Sequence, residues 1–215
     1  MVSFRQDTLN GQIKCLQQDV LRMGSLVESS VILAYQALFE GRLGAIDIID
    51  RQDKQIDQFY RRIELDCIKV ISTQAPVSQD LRMISTLMQL IRDLERIGDY
   101  AQDLVELALR MGQYTPPPEF ERVKAMMQRC QAMLNHSLIA LIDLDAEKGL
   151  HVKHEDDDVD RDYKIVYDSL AQRTHVQGSL EPLLLLLLMI RHIERMADHS
   201  TNIGRRVAYI VTGQR

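Results

Sequence analysis

Residues 92–104 read RDLERIGDYAQDL, and residues 191–203 read RHIERMADHSTNI. Both segments carry an Arg, a Glu three positions on, a second Arg beside it and an Asp four beyond the Glu, with apolar residues at matching places. On a helix, residues four apart share a face, where two carboxylates repel by about 0.2–0.5 kcal/mol. A chain that writes this arrangement twice must offset the repulsion twice, and it must contain the same unit twice.

The repetition extends outward from these segments. Val20, Met23, Val31 and Leu38 are matched 103 residues later by Val123, Met126, Leu134 and Leu141. At the same offset Ile49, Asp53, Ile56, Asp57, Tyr60, Ile63 and Cys67 align with Val152, Asp156, Val159, Asp160, Tyr163, Val166 and Leu170. For the two opening segments the offset is 99, so the connection before the second has lost four residues. Such coincidence along two helices is the mark of an internal repeat.

Each copy reads as three helices. From Leu9 to Leu38 the apolar residues recur in threes and fours, with Gly41 and Gly44 at the end; a second stripe runs from about Ile46 to Ser72 until TQAPVS breaks it at Pro76. Ser78 is placed to cap a third helix that Gly112 closes. The run YTPPPE cannot lie inside a helix, although Pro118 can occupy a first turn, so Thr115 to Pro118 marks the boundary. The expected fold is all-α, two tandem pseudo-symmetric three-helix bundles over residues 1–114 and 118–215 with six helices in all.

Composition agrees with that class. Apolar residues make up 46%, aromatics only 5%, prolines number five and Trp is absent. The charge of -5 is spread without a basic block, which argues against nucleic acid. The longest apolar run, Leu183 to Ile190, is too short to span a bilayer, and the N-terminus has no apolar signal region, so the chain reads as cytoplasmic. Cys15, Cys67 and Cys130 are odd in number and lie on apolar stripes, as reduced core thiols do.

Projected at 100° per residue, Glu95 falls among Ile84, Leu87, Met88 and Ile91, and Glu194 among Leu183, Leu186, Leu187 and Ile190. Asp53 lies between Ile49 and Ile56, Asp156 between Val152 and Val159, with Asp57 and Asp160 at the edge of the same faces. Each bundle therefore directs four carboxylates at one region: Asp53, Asp57, Glu95 and Asp99 in the first, Asp156, Asp160, Glu194 and Asp198 in the second. Anions in a partly buried seam need protons, arginines or cations, and four oxygen donors suit a hard or borderline metal ion. Asp103 and Asn202, one turn further on, extend the ligand rows if more than one ion binds.

Two other readings compete. A ferritin-like metalloenzyme also gathers carboxylates in a bundle, but its Glu-x-x-His spacing is missing, and neither a nucleophile with its base nor a glycine-rich phosphate loop is present. A plain helical scaffold would pair the acids with Arg92, Arg96 or Arg195. His192 and His199 read as ordinary surface or network histidines.

The segments DKQID (53–57), QAPVSQDLR (74–82), DLERIGDYAQDL (93–104), DDDVD (156–160) and IERMADHSTNI (193–203) together closely resemble the PhoU family over nearly the whole chain. The resemblance implies a cytoplasmic, non-enzymatic negative regulator of phosphate uptake and phosphate-starvation signalling. It also implies metal ions (iron, zinc, manganese, magnesium or calcium) on the E/D-x-x-x-D motifs, a homodimer, and contacts with the ATPase subunit of the phosphate ABC transporter and with a phosphate sensor histidine kinase. The second copy departs from the pattern, with GSLEPLLLLLL (178–188) and Ala197 where the family has its Pro, Asp-Leu-Arg and Gly.

Overall fold

The computed structural model describes residues 2–42, 44, 46–175 and 178–214, with side chains from Leu9 onward. The outer bounds set from sequence, Met1 and Arg215, lie outside the described residues. Six helices follow one another: α1 Val2–Glu40, α2 Ile46–Gln74, α3 Ser78–Met111, α4 Phe120–Asp143, α5 Ala146–Ala171 and α6 Glu181–Thr212. Among the described residues there is no strand.

Helices α1, α2 and α3 pack on one another, as do α4, α5 and α6, and the two groups meet where α3 lies on α6 and α1 on α4. The three-and-four spacing of α1 explains its place: Val20, Met23, Val27, Val31 and Ala34 all point inward and are fully buried. A single hydrophobic core runs through both groups, from Leu9 in α1 to Ile210 in α6.

The turns follow local chemistry. At the α4–α5 corner Leu144 adopts φ 49° and Asp145 accepts hydrogen bonds from the amides of Glu147 and Lys148, both at 3.0 Å, so two otherwise orphaned donors are satisfied. At the far end of α6, Arg82 Nε on α3 donates to the Ile210 carbonyl at 3.2 Å. The tightest crossing joins α5 to α6: a Cβ on either Gly149 or Gly204 would meet the other's carbonyl oxygen far inside contact distance, so only glycine allows the two backbones to touch.

Three expectations need correction. Ser78 does not cap α3; it begins the helix with φ 50° after an extended Val77 that makes no side-chain cap, because the bend at Ala75 and Pro76 uses up the loop. Pro118 lies in the turn before α4 rather than in its first helical turn, with the Phe120 amide donating to the Pro117 carbonyl. Cys15 is exposed, whereas Cys67 and Cys130 are buried: the α1 stripe turns away from Cys15 between Ile13 and Leu16.

Candidate metal centres

Asp53 and Asp57 on α2 stand within reach of the charges on Glu95 and Asp99 on α3, and Asp160 on α5, beside the buried Asp156, stands within reach of Glu194 and Asp198 on α6. The mutual influence of the charges shows this. Burial, then Asp99, with a further contribution from Asp57, pushes the Glu95 carboxyl above its ordinary range. Asp99 is raised by burial and then by Asp53, Asp57 and Asp103, against the opposing Arg96. Asp53 is raised by burial, Asp57 and Asp50. In the second group burial and Asp198, then Asp160, raise Glu194, while burial, Asp156 and Asp198 raise Asp160. Asp53, Glu95 and Asp99 in the first group and Asp160 and Glu194 in the second are thus held back from ionising by burial and by one another's charge, a condition that a cation relieves.

Basic neighbours offset only part of this. Arg61 lies 3.2 Å from Asp57, Arg96 2.8 Å from Asp99, Arg191 2.9 Å from Glu194 and Arg195 3.2 Å from Asp198, all within one helix turn and with largely exposed arginines. Such pairs are each worth about 0–1 kcal/mol. Lys153 holds Asp156 at 2.7 Å. Among the described residues Asp53, Glu95 and Asp160 form no ion pair or hydrogen bond.

Asp156 offers a sharper observation. Its side chain is only 4% exposed, Lys153 takes Oδ2, and Oδ1 is buried with no hydrogen-bond partner. A bare buried carboxylate oxygen is costly, and a hard cation is the kind of ligand that satisfies it, so the donor set fits a metal ion in type. Among the described residues no three His, Cys, Asp or Glu side chains meet at one point. Asp57, Asp99, Glu194 and Asp198 are instead turned toward arginines of their own helices.

Gly98, between Glu95 and Asp99, does not open space for an ion. A Cβ there would lie 3.1 Å from Ile56 Cδ1, so this glycine lets α3 close onto α2. The equivalent positions in the second group are Ala197 and Val159, both fully buried. One methyl has moved from the α2-type helix to the α3-type helix, and the spacing that aims the acids at one another survives.

Asp103 lies 3.8 Å from His192 Nδ1 across the α3–α6 crossing and adds to the charge on Asp99, while Asn202 is half-buried one turn beyond Asp198. Burial first, then Arg191, lowers the His192 imidazole against the pull of Asp103. Its ring sits 5.4 Å from that of Tyr100.

A buried network at the same crossing gives His199 a network role with partners that the sequence does not name. Asp93, 4% exposed, accepts from Arg206 Nε at 2.6 Å through Oδ2 and lies 2.9 Å from His199 Nδ1 through Oδ1; Arg206 also reaches Gln89 Oε1 at 2.5 Å. The only sequence signal was Asp93 itself, an acid among Leu90, Ile91 and Leu94, and its partners more than 100 residues away could not be named without knowing that α3 meets α6.

Comparison with known proteins gives a consistent result. The PhoU domain model matches twice, over residues 20–108 and 123–207. A phosphate-specific transport system accessory protein PhoU homolog from Synechocystis sp. is 52% identical over 203 residues, covering 94% of this chain and 91% of the relative. A protein of the same description from Pseudomonas aeruginosa is 30% identical, over 95% of this chain and 85% of its own. The crystal structure of PhoU from Pseudomonas aeruginosa superposes with a TM-score of 0.91 at 30% identity, covering 95% and 99% of the two chains. The phosphate transport system regulatory protein PhoU from Streptococcus pneumoniae superposes with a TM-score of 0.87 at 26% identity over 96% and 98%.

Proposed function

The chain belongs to the PhoU family, and from that membership we propose that it regulates phosphate transport: it holds the phosphate-starvation response off, and restrains uptake, when phosphate is plentiful. The observation that carries this reading is the match to phosphate transport accessory proteins along nearly the whole chain, including a relative at 52% identity. The regulation works by contact rather than by catalysis. The contacts are with the ATPase subunit of the phosphate ABC transporter and with the sensor histidine kinase, made in the cytoplasm by a homodimer. No described helix is long and apolar enough to cross a membrane.

In this reading Asp53, Asp57, Glu95 and Asp99 hold metal at the first group, and Asp156, Asp160, Glu194 and Asp198 at the second, with Asp103 and Asn202 as added donors. Iron, zinc, manganese, magnesium and calcium all accept such oxygen ligands. A bound cation supplies positive charge that cancels the repulsion among the acids. The chain's own part is to hold α2 against α3, and α5 against α6, at the spacing set by Ile56 with Gly98 and by Val159 with Ala197. The orphaned Asp156 Oδ1 supports this assignment.

A second reading, an arginine-paired scaffold without metal, draws on the four within-helix ion pairs at Asp57, Asp99, Glu194 and Asp198. Among the described residues it leaves Asp53, Glu95 and Asp160 without an ion pair. The regulatory proposal is tested by deleting the gene in the source organism and measuring alkaline phosphatase activity with ample phosphate. Derepressed activity is expected; continued repression would overturn it.

A further inference from the structure

The outer groove between α1 and α2 is built on arginines that no acid fully engages. Asp19 on α1 lies 2.9 Å from Arg22 Nη1 and 3.0 Å from Arg62 Nη2, so one carboxylate orients two guanidinium groups, one from each helix. The Phe59 ring fixes Arg62 a second time, with the guanidinium carbon 4.7 Å above its centroid. Both arginines line a groove of about 720 Å3, together with Gln55, Gln58 and Leu26, and among the described residues no carboxylate lines it. Among the described residues neither arginine has a second acidic partner.

The duplicated architecture supplies an internal comparison. In the matching groove between α4 and α5, Asp162 is buried and holds both Arg122 and Arg129, and Glu119 and Glu121 line the same groove. There the acids consume the arginines. In the first groove the positions of Arg129, Asp162 and Asp158 are taken by Leu26, Phe59 and Gln55, and a net positive charge remains.

We propose that the α1–α2 groove between Arg22 and Arg62 binds the phosphoryl group of a small phosphorylated molecule. Guanidinium forks recognise such oxyanions bidentately, and a group with three terminal oxygens can engage both forks at once. The groove has room for more than a free phosphate and falls in the size range of small-molecule sites. Leu26 and Phe59 offer apolar surface to the rest of the ligand, and Gln55 and Gln58 offer amide donors and acceptors. On α2 these residues lie roughly opposite Asp53 and Asp57, at 100° per residue. The site is thus separate from the candidate metal centres and goes beyond the regulatory reading.

The test is isothermal titration calorimetry of the full chain in EDTA, which keeps metal from bridging an anion to the carboxylates, with ATP in one arm and inorganic phosphate in the other. Saturable binding is expected in at least one arm, at least tenfold weaker in Arg22→Gln/Arg62→Gln and in Gln58→Glu, and unchanged in Arg161→Gln. Gln58→Glu puts a repelling carboxylate on an exposed position and leaves the Asp19 clasp intact, so it serves even if the double variant unfolds. Binding of phosphate as well as ATP identifies the free anion as a sufficient ligand; binding of ATP alone identifies a larger phosphorylated molecule. No saturable heat in either arm, binding that survives Gln58→Glu, or an equal loss in Arg161→Gln would overturn the proposal.

Discussion

Asp93 on α3 and Arg206 on α6 meet at 2.6 Å across the crossing that joins the two halves of the molecule. The carboxylate is buried, whereas the arginine keeps about a quarter of its side chain in solvent. Arg206→Met therefore strands a buried anion with only His199 beside it, at a cost of about 3 kcal/mol. Asp93→Asn keeps an acceptor for His199 and leaves Arg206 free to turn toward water, so it costs less. Urea unfolding of the two variants should give that order, and the reverse order would refute the account.

The Ile56 and Gly98 contact makes a compensation testable. Ile56→Val alone removes a buried methyl, at roughly 0.5–1.5 kcal/mol. Gly98→Ala alone gains helix propensity but crowds Ile56 Cδ1. The double variant reproduces the Val159 and Ala197 pair of the second half and should be more stable than the sum of the single changes, by at least about 0.5 kcal/mol in a double-mutant cycle.

Gly204→Ala allows no such relief, because the obstacle is the Gly149 backbone. We expect a loss of about 2 kcal/mol or more, seen as a lower thermal midpoint, and no rescue by shortening neighbouring side chains.

The tie between the halves at Glu181 carries a pH signature. Arg110, 2.6 Å away, and then the Tyr114 hydroxyl at 2.7 Å hold the Glu181 carboxyl below its ordinary range. A depressed carboxyl pKa stabilises the fold above the unfolded value, about 4.3, and that contribution is lost as pH falls through the folded value. NMR titration of the Glu181 side chain should give a midpoint below about 4.3, and Arg110→Gln should raise it.

The carboxylate clusters predict a metal-dependent reversal. Without metal, Glu95→Gln/Asp99→Asn relieves repulsion and should match or exceed the wild type in thermal stability. With a divalent ion present the wild type should gain stability and the variant should not, while elemental analysis shows less metal in the variant. Equal metal content would remove these two residues from the ligand set.

The helices and their order were legible because periodicity and proline breaks are local signals, and the duplicated E-x-x-x-D segments are legible because each lies within one helix. Asp93, His199 and Arg206 were not, since their pairing depends on which helix crosses which, information carried by the whole core. Ser78 illustrates the other limit: its residue type suits a cap, but the backbone after Pro76 leaves it inside the helix with positive φ. Gly98 is a small residue between two acids in sequence, and only the packing of Ile56 shows that it serves the approach of a helix.

At the α3–α6 crossing, residue 93 touches residue 199 and residue 192 touches residue 100. With the offset of 99, position 192 is position 93 again and position 199 is position 100, so each contact is the other's mirror. That reciprocity is the rule of an isologous two-fold interface, here enclosed within one polypeptide. Two separate copies of one half would have to place the same residue on both sides of the axis. Joined in one chain, the sides have diverged: an aspartate faces a histidine on one flank, and a histidine faces a tyrosine on the other. The covalent link thus permits an asymmetric, charge-matched joint that a symmetric pair of identical halves could not form.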